Sequence, residues 1–129
     1  MIDHLTLSVA DYKQSKAFYV AALAALGYDL IEELNPHLTG GLSVASLGVD
    51  GKHCLWLAGR GKQTPDQHIG FAAPNRAAVD AFFEAALKAG GRDIGSAPKN
   101  DPKRHPDCYA CSVLDPDGHN IEAICFQPA

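Results

Sequence analysis

SKAFYVAALAALGYDL, residues 15–30, lies over VDAFFEAALKAGGRDI, residues 79–94, when the chain is slid along itself by 64 positions. Ala17, Phe18, Ala21, Ala22, Leu23, Ala25, Gly27 and Asp29 meet Ala81, Phe82, Ala85, Ala86, Leu87, Ala89, Gly91 and Asp93. At the same offset His4 falls on His68. An internal repeat sets the architecture, and two copies are too few for a solenoid, so paired modules are expected. Each copy of the stretch reads as a helix. Asp11, with Gln14 three residues on, and Asn75, just after Pro74, are N-cap residues. Gly27 and Gly91 are the expected stops. Phe18, Ala22 and Leu26 form one helical stripe and Val79, Phe83 and Leu87 the other; both suit core packing.

Outward from the helices, strands are predicted at 2–9 and 67–73 ahead of them. Further strands are predicted at 28–33, 42–47 and 53–57, and at 92–96, 109–114 and 120–126. VDGK (49–52) and DPDG (115–118) are turn sequences between the last two strands of each copy. The order is βαβββ twice. This is an α+β fold of two modules, about 1–58 and 66–127, in one domain spanning 1–129. The polar, proline-rich stretch APKNDPKRHPD (97–107) reads as a mobile loop or lid.

Composition bounds the function. The chain has 129 residues, 47% apolar and 20% charged, with a formal charge of −4. A negative balance argues against nucleic acid or an anionic membrane as partner. No apolar run reaches membrane-spanning length. No basic stretch followed by an apolar core opens the sequence, and Cys54, Cys108, Cys111 and Cys125 show no disulfide framework, so a cytoplasmic chain with reduced thiols is expected. Cys108 and Cys111 make a C-x-x-C, but strand alternation turns the two side chains to opposite faces.

The same alternation sorts the strand heads. Leu5, Leu7 and Val9 share one face of the first strand; His4, Thr6 and Ser8 share the other. Ile69 and Phe71 likewise oppose His68 and Gly70. On the last strand Ile121, Ala123 and Cys125 form the helix-side row, while Glu122 interrupts the opposite one. A buried, unpaired carboxylate would cost several kcal/mol, roughly, and a cation removes that cost. Two imidazoles in equivalent slots plus one carboxylate make a 2-His-1-carboxylate set. Such a centre holds a divalent ion and leaves positions open for a Lewis-acid role. Aligning DGKHCLW (50–56) with DGHNIEA (117–123) sets Glu122 over Leu55, so no symmetric fourth ligand is expected, and Trp56 is assigned to core packing. His37, His53 and His119 are assigned to loops or turns.

HLTLSVAD with AFY after it, HIGFAAP, and LDPDGHNIEA, taken in order, resemble the vicinal oxygen chelate superfamily: glyoxalase I, bleomycin-resistance proteins, extradiol dioxygenases and their relatives. The resemblance spans essentially the whole chain. It implies two βαβββ modules whose mixed sheets curl around a central cavity, with His4, His68 and Glu122 as ligands of iron, manganese, zinc or nickel. It implies a homodimer acting on a small molecule, with the modules paired within one chain or exchanged between two. Thr6, Ser8 and Ser112 are candidate pocket residues; Lys103 and Arg104, on the suspected lid, are candidates to meet a substrate anion. The family's three-ligand enzymes carry a tyrosine where this chain has Ser112, and Tyr109 points to the other face. Two functions follow from the resemblance: a metal-dependent lyase, isomerase, dioxygenase or transferase that grips adjacent oxygens, or a protein of bleomycin-resistance type that sequesters a small molecule.

Overall fold

In a computed structural model describing residues 1–129, β1 (Leu5–Val9), α1 (Tyr12–Ala24), β2 (Asp29–Leu34), β3 (Ser43–Val49) and β4 (Lys52–Gly59) form the first module. The second comprises β5 (His68–Ala72), α2 (Arg76–Lys88), β6 (Arg92–Asp93), β7 (Lys99–Asn100), β8 (Tyr109–Leu114) and β9 (Asn120–Cys125). The first sheet runs β1-β4-β3-β2 and the second β5-β9-β8-β6. In each, the first strand lies parallel to the last and the remaining pairs are antiparallel. The expected βαβββ duplication is therefore present, in an α+β fold.

Both helices start where the sequence places them. The Asp11 carboxylate accepts from the Gln14 amide and Asn75 accepts from the Ala78 amide, each filling one of the free donors of a first turn. The stops are Gly27 (φ 88°) and Gly90 (φ 100°), both left-handed. Gly90 thus replaces the expected Gly91. Gly91 serves packing instead, because a Cβ there would lie 2.8 Å from the Phe18 ring. On α2 the fully buried residues include Phe82 and Ala86 beside Val79, while Phe83 and Leu87 are only partly buried. The inward stripe of α2 is therefore rotated from the predicted one.

The modules meet through their helices. Leu7, Phe18, Leu23, Leu55, Phe82 and Ile121 belong to one continuous core drawn from both. Burying each large side chain contributes about 1.5–3 kcal/mol. The Tyr19 hydroxyl of α1 donates to the buried Asp115 carboxylate in the β8–β9 turn, Tyr28 meets Phe71 edge-on at 5.7 Å, and the Ala10 amide donates to Asp117 at 3.3 Å. One expectation is corrected here: the sheets stay separate and do not close around a shared central cavity within the chain. With the helix-side rows of both sheets committed to the core, the opposite faces are left open.

Within the 97–107 stretch, read from the sequence as a loop or lid, Lys99 and Asn100 form a short strand and residues 101–107 make turns. β6 pairs with one end of β8 and β7 with the other, and the Ser112 amide donates to the Ser96 carbonyl between them. These pieces form an interrupted fourth strand. No helix is long and apolar enough to cross a membrane.

Candidate functional site

Glu122 stands on the open face of the second sheet. Its register partners are Gly70 on β5 and Ser112 on β8. A Cβ at position 70 would lie 3.3 Å from Glu122 Oε1, so the glycine leaves space for the carboxylate. His68 sits at the head of β5. The adjoining backbone is fastened by the Gln67 amide, which donates to Nδ1 of buried His119 at 3.1 Å, and by the Asn120 amide, which donates to the Gln67 carbonyl. That anchoring brings His68 Nε2 to 3.4 Å from Glu122 Oε1. The imidazole side chain is 56% exposed and the carboxylate only 9%.

The second oxygen of Glu122 is taken by Arg104. Nη1 donates to Oε2 at 2.7 Å, and Nε reaches Asp101 at 3.3 Å. The Glu122 carboxylate holds the guanidinium above its already high range, chiefly through that hydrogen bond. Arg104, Lys99, Ser96 and Ser112 wall a hollow of about 100 Å³ beside the carboxylate. Lys103 is exposed in the same connection and does not line it. Tyr109 points to the helix side, donating to Asp80 at 2.7 Å, as alternation predicts.

His4 lies on the other sheet, 53% exposed, just before β1. Its Nδ1 is 2.8 Å from Asp3 Oδ1, and this hydrogen bond is the first cause of the lowered pKa of Asp3. A proton held on Nδ1 leaves the Nε2 lone pair free, the tautomer that carboxylate-backed metal ligands use. His4 and Thr6 line a cleft of about 470 Å³ with Trp56, His53, Leu42 and Arg60. Ser8 is a neighbour rather than a wall, its hydroxyl accepting from Arg60 Nη1 at 3.2 Å. Within one chain, then, His68 and Glu122 converge and His4 does not join them; no three histidine, cysteine, aspartate or glutamate side chains cluster so as to hold a metal.

The register moves the slot equivalent to Glu122 from Leu55 to Trp56, and no fourth carboxylate stands there. Leu5 and Thr6 pair with Leu55 and Trp56, as Ile69 and Gly70 pair with Ile121 and Glu122. The structural equivalent of Glu122 is therefore Trp56, and Leu55, 1% exposed, is the core counterpart of Ile121. The slip arises in β4, where Leu47 pairs with Leu55 but Gly48 pairs with His53. Cys54 is the extra residue of a β-bulge, which shifts the frame by one and turns His53 to the open side. His53 stacks on Trp56 there, ring centroids 5.0 Å apart and 5° from parallel. Trp56 is thus a half-buried cleft residue, not the core residue expected, and His53 is the site residue that sequence reasoning passed over. Gly48 is the signal that bore on it: a Cβ there would fall 1.7 Å from the Lys52 carbonyl oxygen.

Two exposed imidazoles and a nearly buried carboxylate are donor types that a divalent ion takes, and a glycine spares the space beside the carboxylate, but only His68 and Glu122 stand together within the chain.

Paired βαβββ modules with chemistry-bearing residues on open sheet faces define a class of protein in which one scaffold carries many reactions. The Glyoxalase/Bleomycin resistance protein/Dioxygenase superfamily profile matches residues 1–123, and the chain belongs to that superfamily. Among solved structures it is similar to a glyoxalase/bleomycin resistance protein from Albidiferax ferrireducens T118, at 26% identity and TM-score 0.75 over 95% of both chains. Glyoxalase I from Zea mays matches in fold at 18% identity and TM-score 0.72; the likeness covers 99% of this chain and 45% of the maize chain. A glyoxalase/bleomycin resistance protein/dioxygenase family enzyme from Burkholderia phytofirmans PsJN matches at 17% identity and TM-score 0.68 over 98% of both. A comparison with curated proteins returned no match.

Proposed function

We propose that the protein is a metal-dependent enzyme acting on a small molecule with adjacent oxygens, and that it works as a homodimer in which His4 of one protomer joins His68 and Glu122 of the partner subunit. The carrying observation is the 3.4 Å approach of His68 to Glu122 on a sheet face left open, while the third donor, His4, heads an equally open sheet. A twofold dimer laying each first sheet against the other protomer's second sheet would bury both faces and form two identical sites. A bound iron, manganese, zinc or nickel ion would supply Lewis acidity to the substrate's paired oxygens.

The chain's own residues have separable tasks in this reading. Asp3 holds the His4 ring. Gly70 leaves the carboxylate its space. Arg104, neutralising Glu122 in the single chain, would release it to the ion and turn to an anionic part of the substrate. Thr6 and Ser112 flank the site from the two sheets, and Ser8 holds Arg60 at the far end of the cleft. The cytoplasm is the proposed compartment.

The test is metal content and sedimentation of the untagged protein. One tightly held divalent ion per chain in a dimer, lost in His68→Ala, supports the reading; a metal-free protein refutes it. A second reading, sequestration of a small molecule, draws on Trp56 standing at the fourth-ligand slot, where an indole offers a flat surface to a ligand. Small-molecule binding undiminished in His68→Ala would favour it.

A further inference from the structure

We infer that His53 is the proton carrier of this site, taking a proton from a substrate in the cleft beside His4 and returning it, with Ser46 and Glu32 as positioning residues. The inference rests on the dimeric, metal-dependent reading above and supplies the general base that the ligand set lacks.

Three features set His53 apart from an ordinary surface histidine. The bulge at Cys54, made possible by Gly48, brings the imidazole to the face that carries Trp56, and bulges recur beside active sites because they re-aim a side chain. Trp56 covers one ring face in parallel contact. Both ends of the ring are addressed as well. Ser46 Oγ is 2.6 Å from Nδ1, and Glu32 Oε2 is 4.0 Å from Nε2.

The two neighbours act differently. Ser46 is fully buried, so its hydroxyl cannot reach a substrate as a nucleophile. It can accept the Nδ1 proton, which leaves Nε2 with a free lone pair. Glu32 stands 4.0 Å away, beyond hydrogen-bond length, so it borders Nε2 without occupying it. His53 and His4 share the same cleft wall.

The step is a proton transfer without net oxidation. A C–H bond next to a carbonyl breaks, an N–H bond forms at Nε2, and the electron pair moves onto the carbonyl oxygen. Return of a proton from Nε2 to the same carbon restores both the carbonyl compound and the neutral imidazole. The fitting substrates are α-hydroxycarbonyl compounds with an exchangeable hydrogen between their two oxygens.

The test uses the zinc-loaded dimer, hydroxyacetone in heavy water, and deuterium entry at the hydroxymethyl carbon followed by proton NMR. His53→Asn keeps an atom toward Ser46 and deletes Nε2. Wild-type protein should accelerate exchange over buffer, and His53→Asn should lower that rate by about a hundredfold or more at unchanged zinc content. A binding readout stands beside it. Acetohydroxamic acid loses a proton on chelation, so calorimetry in buffers of different ionisation enthalpy should find about one more proton released to buffer in His53→Asn than in wild type. Equal exchange in the two proteins, no exchange by zinc-loaded wild type, or equal proton release overturns the inference while the metal site stands. Failure of wild type to take up zinc removes the metal-dependent reading and this inference with it.

Discussion

Arg104 donates to Glu122 at 2.7 Å, so the one nearly buried carboxylate on the open face of the second sheet is already paired with a cation in the isolated chain. In the proposed site, a metal that grips both oxygens of Glu122 would have to displace that guanidinium from Oε2. In Arg104→Met the metal-free protein should lose about 1 kcal/mol, discounted because the arginine is 44% exposed. Zinc affinity should rise about fivefold, the equivalent of that energy. Thermal denaturation and calorimetry of both proteins check this, and weaker zinc binding by the variant would mean that Arg104 supports the ligand rather than competes for it.

Exchange between subunits has its own signature. His4→Ala and His68→Ala homodimers should each lack metal. Mixing them by partial unfolding and refolding should yield heterodimers with one intact site, assembled from His4 of the second variant and His68 with Glu122 of the first. Metal analysis of purified heterodimers should find half the wild-type content. Ligands paired within single chains would leave those heterodimers empty.

The bulge that presents His53 depends on Gly48. Alanine there meets the Lys52 carbonyl oxygen, a backbone atom that cannot swing aside. Gly48→Ala should cost about 2–3 kcal/mol, the range of a forced overpacking, and lower the melting temperature by roughly 10 °C. Tryptophan fluorescence should change with it, because the imidazole stacked on Trp56 moves.

At high pH two buried groups act in one direction. Burial pushes the Cys111 thiol up to about 12 from its ordinary 9.0. Burial first, and then the Asp115 charge, push the Tyr19 hydroxyl well above its ordinary 10.0. Both stay protonated in the folded state after the unfolded chain has begun to ionise. Their contribution is therefore complete below about pH 9 and is lost as pH rises, at about 1.4 kcal/mol per pH unit for each ionising group. Urea denaturation between pH 8 and pH 11, roughly the window these shifts open, should show that decline, and Cys111→Ala should flatten it above pH 9.

How far the sequence reached can be traced through single residues. Strand alternation alone puts His68, Glu122 and Ser112 on one open face, because it is local and no bulge intervenes in β9. Trp56 and Leu55 were exchanged because a bulge breaks alternation, and its cause is contact between Gly48 and the Lys52 backbone on another strand. Gly90 stops α2 in place of Gly91 because Gly91 is used for close packing against Phe18, a contact from the other module. The sequence marks Arg104 as a candidate for an anion, but its pairing with Glu122, 18 residues away, is decided only by the fold.

By itself the sequence determined the duplicated α+β plan, both helix caps, the helix-side rows of the strands and the superfamily. Each of these depends on neighbours in the chain or on the repeat between its halves. Only the tertiary structure decided that the sheets stay apart with their outer faces open, that His4 stands away from His68 and Glu122, and that His53 shares its cleft. Those outcomes depend on how helices pack and strands register over long separations, where a one-residue shift reverses a face and nothing local records it.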